Sequence, residues 1–292
     1  MRSWLPFRPP MGTCAGKFRV VRVAMCARVL NKGHMYENTM PKEKIEAIGA
    51  MLRDAKRVVV FTGAGISTES GIPDFRGPDG LWTKNPKAEK TSTLSHYLND
   101  PEVRKIAWAG RERTFDGSKS PNAGHHALVE IQNMGKLSAV ITQNVDGLHQ
   151  DSGIDEDKVV EMHGTLKFGR CWGCNDRRPM GEFIARVRAG DPDPHCELCG
   201  GIVKSDAILF EQALVPEVIE RAMREADECD LLIAVGSTLA VSPANGVVPR
   251  ARATGAKVVI INGQGTEMDR FADVLLIASI TPALQAIVAS AR

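Results

Sequence analysis

Four of the seven cysteines stand in two close pairs, Cys171/Cys174 and Cys196/Cys199, separated by 21 residues. Two CxxC pairs at that ribbon-like spacing can bring four thiolates onto one tetrahedral zinc, and four protein ligands leave no open position, so such a metal is structural. A redox dithiol or unrelated buried cysteines is the competing reading. His195 sits beside Cys196 and could substitute as a ligand, although an exposed position is expected for it. Zinc ribbons also bind nucleic acid, a rival function that the neighbouring Lys167, Arg170, Arg177, Arg178, Arg186 and Arg188 make testable; a solvated charged face is the plainer account. A second group of residues carries different chemistry. His163 follows the apolar run 159–162, and Gln143, Asn144 and Asp146 follow the run 137–142. An imidazole of ordinary pKa near ~6.5 can accept a proton at neutral pH, but a lone histidine is more often structural, and strand-end amides are often turn formers. Gly63-Ala64-Gly65 follows a third run, where glycines let backbone N–H groups approach a pyrophosphate. Thr68 replaces the third glycine of a dehydrogenase fingerprint, so a tight structural turn stays open as the alternative.

These groups need elements to hold them. Apolar runs at 57–61, 137–142, 159–162, 207–210, 231–235, 257–261 and 274–277 read as buried strands. Helical spacing of Ile45, Ile48, Met51 and Leu52 predicts a helix over 41–55, with Thr39 as its cap, and further helices are expected at 122–134, 216–226, 243–254 and 281–291. Strands alternating with helices predict an α/β fold, a Rossmann-like parallel sheet covered on both faces, whose strand ends hold the ligand crevice. Residues 78–120 are polar and broken by prolines, and 167–203 hold both cysteine pairs. They read as insertions forming one smaller zinc-ribbon and helical domain, leaving 39–77, 121–166 and 204–292 to the sheet domain.

The string from Gly63 through Ser67, Thr68, Gly71, Asp74, Phe75 and Arg76 resembles the signature of the sirtuins, the NAD-dependent protein deacylases. Further matches follow in family order: Thr142-Gln143-Asn144-Val145-Asp146-Gly147-Leu148-His149, His163-Gly164, the double CxxC, Gly236-Ser237-Thr238-Leu239 with Pro243-Ala244, and Ile261-Asn262. The resemblance runs from about residue 41 to the end and is closest to bacterial-like members. It implies that NAD is a co-substrate, that an acyl-lysine oxygen displaces nicotinamide, and that His163 is the base activating a ribose hydroxyl that carries the acyl group away. It further implies that Asn144 and Asp146 orient the nicotinamide and its ribose, with Gln143 and Val145 beside them. Asp74, Phe75, Arg76 and Trp82 would cover that end of the cofactor. Gly63, Ala64, Gly65 and Ser67 would lie by phosphates and nicotinamide; Gly236, Ser237 and Thr238 by phosphate and adenosine; Asn262, Gly263, Gln264 and Ile280 by the adenosine end. His125, His126 and His149 are expected to support rather than react.

The chain departs from the family where a substrate peptide would pair. The family reads Phe-Gly-Glu or Phe-Gly-Gln, and this chain reads Phe210-Glu211-Gln212. A side chain there could obstruct strand addition, or point to solvent and select basic flanks. The Tyr and Arg with which some members bind acidic acyl groups match Trp108 and Arg111; without the phenol, deacetylation is expected over desuccinylation. The segment from Arg76 to Trp82 resembles a branch with long-chain deacylase or ADP-ribosyl transfer activity, and mono-ADP-ribosylation in the same pocket is the alternative function.

Composition bounds the rest. At 292 residues, 43% hydrophobic and 25% charged, the chain is an ordinary globular protein rather than a disordered one. Seven basic side chains and no acid fall in residues 1–36, leaving 30 basic against 35 acidic residues for the remainder. That mildly acidic body disfavours a broad nucleic-acid surface, so no specific nucleic acid is expected as a partner. Residues 1–38 read as a disordered basic leader in preference to an organelle transit peptide, and neither a secretory signal nor a membrane-spanning run is found. A cytoplasmic monomer acting on acyl-lysine proteins or peptides is expected.

Overall fold

The computed structural model describes residues 40–74, 80, 84, 86–114 and 117–292. The expected leader and the Thr39 cap lie outside these residues; helix α1 (Lys42–Asp54) begins after Pro41, which makes no side-chain capping bond. Nine strands follow among the described residues: β1 (Val58–Thr62), β2 (Leu137–Thr142), β3 (Val159–Glu161), β4 (Phe168–Cys171), β5 (Arg177–Pro179), β6 (Val203–Ser205), β7 (Leu231–Val235), β8 (Lys257–Asn262) and β9 (Val274–Ile277). Six of them form a parallel sheet in the order β3-β2-β1-β7-β8-β9, the doubly wound arrangement.

The sequence of β1 explains how the sheet is covered. Val58 and Val60 pack on one face against α1, α4 (Ala123–Asn133) and α9 (Ile280–Ala291), while Val59 and Phe61 pack on the other against α7 (Pro216–Glu228) and α8 (Val247–Ala253). With both faces dry, every position is buried, and a β-branched run replaces the polar alternation of a half-exposed strand. The first face is tight enough that a β-carbon on Gly49 of α1 would lie 2.5 Å from Ser290 Oγ of α9.

A second, antiparallel sheet has the order β5-β4-β6. Trp108 of α3 (Pro101–Thr114), Met180, Phe183 and Ile184 of α6 (Met180–Arg188), and Val203 of β6 share one buried cluster with Cys171 and Cys196. Tyr97 of α2 (Leu94–Asn99) is fully buried and donates its hydroxyl to the Val203 carbonyl at 2.8 Å. Arg104 reaches Asp193 at 2.8 Å, a further tie between segments distant in sequence.

One expected strand is not a sheet strand. Residues 207–210 contribute only an isolated bridge, Phe210 to Thr93, because their backbone groups divide among several neighbours: Ile208 N–H donates to the His163 carbonyl and Phe210 N–H to the Ser92 carbonyl. An apolar run fits any extended segment packed on both sides, which is why the pattern resembled a strand.

Candidate functional site

Winding reverses between β1 and β7, where an open α/β sheet splays into a crevice at its carboxyl ends. The turns leaving these strands touch backbone to backbone: Gly65 N–H donates to the Gly236 carbonyl at 2.8 Å. A β-carbon on Gly65 would lie 2.7 Å from Gly236 Cα, and one on Gly236, at φ +63°, would lie 2.6 Å from the Ile66 nitrogen. The glycines are therefore required by this approach itself, and they leave the crevice floor built of main chain. The cleft above it has a volume of about 2060 Å³, well beyond the ~300–1,000 Å³ of an ordinary small-ligand pocket and sufficient for a dinucleotide together with a second substrate.

Into this cleft the fold brings Gly63, Ala64, Gly65, Ser67, Asp74, Gln143, Asn144, Val145, Asp146, His163, Gly236, Ser237, Thr238, Asn262, Gly263, Gln264, Ile280, Arg111, Phe210 and Glu211. Phe75, Arg76 and Trp82 lie outside the described residues. Ser67 joins the polar groups into one unit: its hydroxyl donates to Asp146 Oδ2 at 2.7 Å and accepts from Asn144 Nδ2 at 3.2 Å. Asn144 Nδ2 also reaches the Gly63 carbonyl at 3.1 Å, and Asp146 Oδ1 accepts the Leu148 N–H at 3.0 Å. On the far side of the crevice Gln143 Nε2 donates to Ser237 Oγ at 2.7 Å. Asn262 Nδ2 donates to the Gln264 carbonyl at 2.9 Å.

His163 Nδ1 lies 3.1 Å from the Gln143 carbonyl oxygen. A carbonyl can only accept, so Nδ1 carries the hydrogen and the neutral ring keeps Nε2 as its basic atom. Burial lowers the pKa of His163 from its ordinary value, and the Gln143 carbonyl opposes part of that shift. The ring thus stays neutral at neutral pH.

Behind these groups lies a support that the strand-end reading overlooked. Thr62 and Thr142, paired in register at the ends of β1 and β2, are joined by a 2.8 Å hydroxyl bond. Thr142 Oγ1 accepts the Asn144 N–H at 3.0 Å, and Thr62 Oγ1 lies 2.9 Å from His149 Nε2. A threonine closing each of two largely apolar runs was the available signal. His149 and His125 are buried with ring centroids 5.1 Å apart, and desolvation lowers their pKa values to about 3 and about 4. His125 Nδ1 accepts the Asn122 N–H at 3.3 Å, completing a capping box on α4.

Of the two residues matched to acyl recognition, one lines the cleft and the other does not. Trp108 does not line the cleft: its apolar bulk is fully buried beside Phe183. Arg111 does line it, with its guanidinium over the Tyr97 and Trp108 rings and Nη2 donating to Ser205 Oγ at 3.2 Å. Lys204 is buried, its ammonium bound to the Ser205 and Ala207 carbonyls and its pKa lowered to about 8 by desolvation. Glu211 is exposed, and one of its carboxyl oxygens is tied to α2. Its Oε2 accepts the Ser95 N–H at 3.0 Å, and hydrogen bonding from the Ser95 hydroxyl, followed by that from its N–H, holds the carboxyl below its ordinary pKa.

The four paired cysteines converge, all four Sγ atoms lying within 4.8 Å of one another and none in a disulfide. Cys171 and Cys199 are 3.5 Å apart and Cys174 and Cys196 3.6 Å. Tetrahedral Zn–S bonds of 2.3 Å require about 3.8 Å between sulfurs, so the cluster fits zinc with all four positions filled by protein. His195 is half-buried rather than exposed and donates Nδ1–H to the Asp193 carbonyl at 2.8 Å, outside the thiol cluster.

The model of the Sir2 family matches residues 63–243. "NAD-dependent protein deacetylase 2" of Streptomyces coelicolor (strain ATCC BAA-471 / A3(2) / M145) is 42% identical over 79% of this chain and 95% of its own length. A solved structure described under "Structural Basis for the Mechanism and Regulation of Sir2 Enzymes" superposes with a TM-score of 0.79 at 36% identity, covering 86% of this chain and 98% of that one. Another, "Sir2-p53 peptide-NAD+", gives 0.74 at 28% identity over 82% and 95% of the two chains.

Proposed function

The chain belongs to the Sir2 family and is an NAD-dependent protein deacetylase, and from that premise we propose how its own residues divide the work. Bound at the switch point, NAD supplies an electrophilic ribose carbon with nicotinamide as its leaving group. Gly63, Ala64, Gly65, Gly236, Ser237 and Thr238 admit the phosphates to the main-chain floor, and Asn262, Gly263, Gln264 and Ile280 border the adenosine end. Ser67, Asn144 and Asp146, already bonded to one another, orient the nicotinamide and its ribose; Asp74, Gln143 and Val145 complete that end. His163 Nε2 takes the ribose-hydroxyl proton while Nδ1–H stays anchored on Gln143. The observation that carries this assignment is the neutral His163 ring held at the edge of the same cleft as the Ser67-Asn144-Asp146 unit. The acyl-lysine peptide lies along Phe210 and Glu211, with Arg111 in the wall. The four cysteines hold a structural zinc. The segments 78–120 and 167–203 act as one small domain, a reading supported by their common core around Trp108 and Phe183.

Among the described residues no helix is long and apolar enough to cross a membrane. A cytoplasmic setting is supported by thiols held for a metal.

The test is mass spectrometry of products from zinc-loaded protein, with NAD and an acetyl-lysine peptide. Acetyl-ADP-ribose, nicotinamide and free lysine are expected in equal amounts, with a lower kcat/KM on succinyl-lysine and no ADP-ribose left on protein. His163→Ala should lose roughly 10²–10⁴-fold in acyl transfer. Because burial lowers the His163 pKa, the acidic limb of the wild-type rate profile should fall below the ordinary histidine value of about 6.5. An unimpaired His163→Ala enzyme would remove the base assignment.

A further inference from the structure

Residues 207–212 carry the chain from the small domain back toward the sheet, and their hydrogen bonds tie three parts of the site together. Ile208 N–H donates to the His163 carbonyl at 2.7 Å, so the segment rests on the main chain of the base itself. Phe210 N–H donates to the Ser92 carbonyl at 2.8 Å, and its carbonyl accepts the Leu94 N–H at 3.0 Å. The third tie is made by a side chain: Glu211 Oε2 accepts the Ser95 N–H at 3.0 Å, across 116 residues of sequence. Glu211 makes it from φ +70°, a left-handed conformation that disfavours a residue with a β-carbon. Such a conformation persists where the surroundings over-determine it. A glycine would take the same backbone without strain but would lose the bond to Ser95. The Ile208 carbonyl and the Glu211 N–H have no hydrogen-bond partner among the described residues, and both residues line the cleft.

We propose that Glu211 is a positioning residue for the acyl-lysine peptide: its bond to Ser95 holds residues 207–212 against α2, so that the open main-chain groups of this segment are set in place before an extended peptide pairs with them. The inference rests on the deacetylase reading and adds to it the reason a glutamate is accommodated at a left-handed position. A segment ordered in advance spares the peptide the entropy of ordering it, which falls on peptide KM rather than on the chemical step.

Glu211→Gly and Glu211→Asn both accept the left-handed backbone but are too short to reach Ser95, whereas Glu211→Gln keeps both the reach and an acceptor oxygen. Steady-state kinetics on an acetyl-lysine peptide should show peptide KM rising roughly five- to twentyfold for the Gly and Asn variants, with kcat and NAD KM changed by less than about twofold, and Gln recovering most of the loss. Hydrogen exchange gives a readout independent of activity: the Ser95 amide should exchange at least about tenfold faster in Glu211→Gly than in wild type or Glu211→Gln. Unchanged peptide KM or Ser95 exchange in Glu211→Gly, or a Gln variant as impaired as Gly, overturns the inference. A wild-type protein inactive on the peptide overturns the deacetylase reading, while its Ser95 exchange still reports on the tie.

Discussion

Among individual residues, the buried histidines show how burial sets chemistry. His163 lines the cleft with Nδ1 bonded to the Gln143 carbonyl; His125 and His149 are buried, and desolvation depresses their pKa values to about 4 and about 3. Their folded values fall below the unfolded value of about 6.5, so the stabilisation of the neutral rings is complete above that pH and is lost as pH falls through the interval toward about 3. Thermal melts should therefore show Tm dropping between pH about 7.5 and about 5. His149→Gln, which can still bond Thr62 but cannot titrate, should show a shallower drop. An equal drop in both proteins would place the acid sensitivity elsewhere. The sequence showed histidines in strings resembling a family but could not rank their burial; that ranking follows from which ring lies behind Thr62 and Thr142.

At the level of elements, Asn122 links a helix start to the glycine turn that follows β1. Its Oδ1 accepts the Gly124 and His125 N–H groups at the start of α4, while its Nδ2 donates to the Ile66 carbonyl at 2.8 Å and to Ser70 Oγ at 3.0 Å. Losing an N-cap of this kind costs about 1 kcal/mol, and stranding the Ile66 carbonyl adds a comparable amount. Asn122→Ala should therefore lose about 1–3 kcal/mol in denaturant titration and raise NAD KM. Asn122→Asp keeps the cap acceptor but not the donor, so it should recover stability more fully than NAD affinity. The helix itself was readable from apolar spacing over 122–134, whereas the reach of Nδ2 to a turn 56 residues earlier was not.

Considering the whole molecule, a sheet core packed on both faces is accompanied by a separate small core that includes Cys171 and Cys196 with Trp108, Met180 and Phe183. A core that small depends on its metal, since zinc binding free energy enters such a module as folding free energy. Chelation should release one zinc per chain, change the emission of the buried Trp108 and abolish deacetylation, while most far-UV dichroism from the sheet domain persists. Loss of all dichroism in a single step would mean that the two cores fold as one unit. The sequence by itself determined the cysteine quartet, the glycine turn, the strand ends and the doubly wound alternation, because each depends on backbone demands or ligand spacing that a few neighbouring residues set. Tertiary structure alone decided that Trp108 is core rather than cleft wall, that 207–210 is an extended tie rather than a sheet strand, and that Glu211 bonds Ser95. Each of these depends on which distant segments share a buried volume, and no local spacing encodes that.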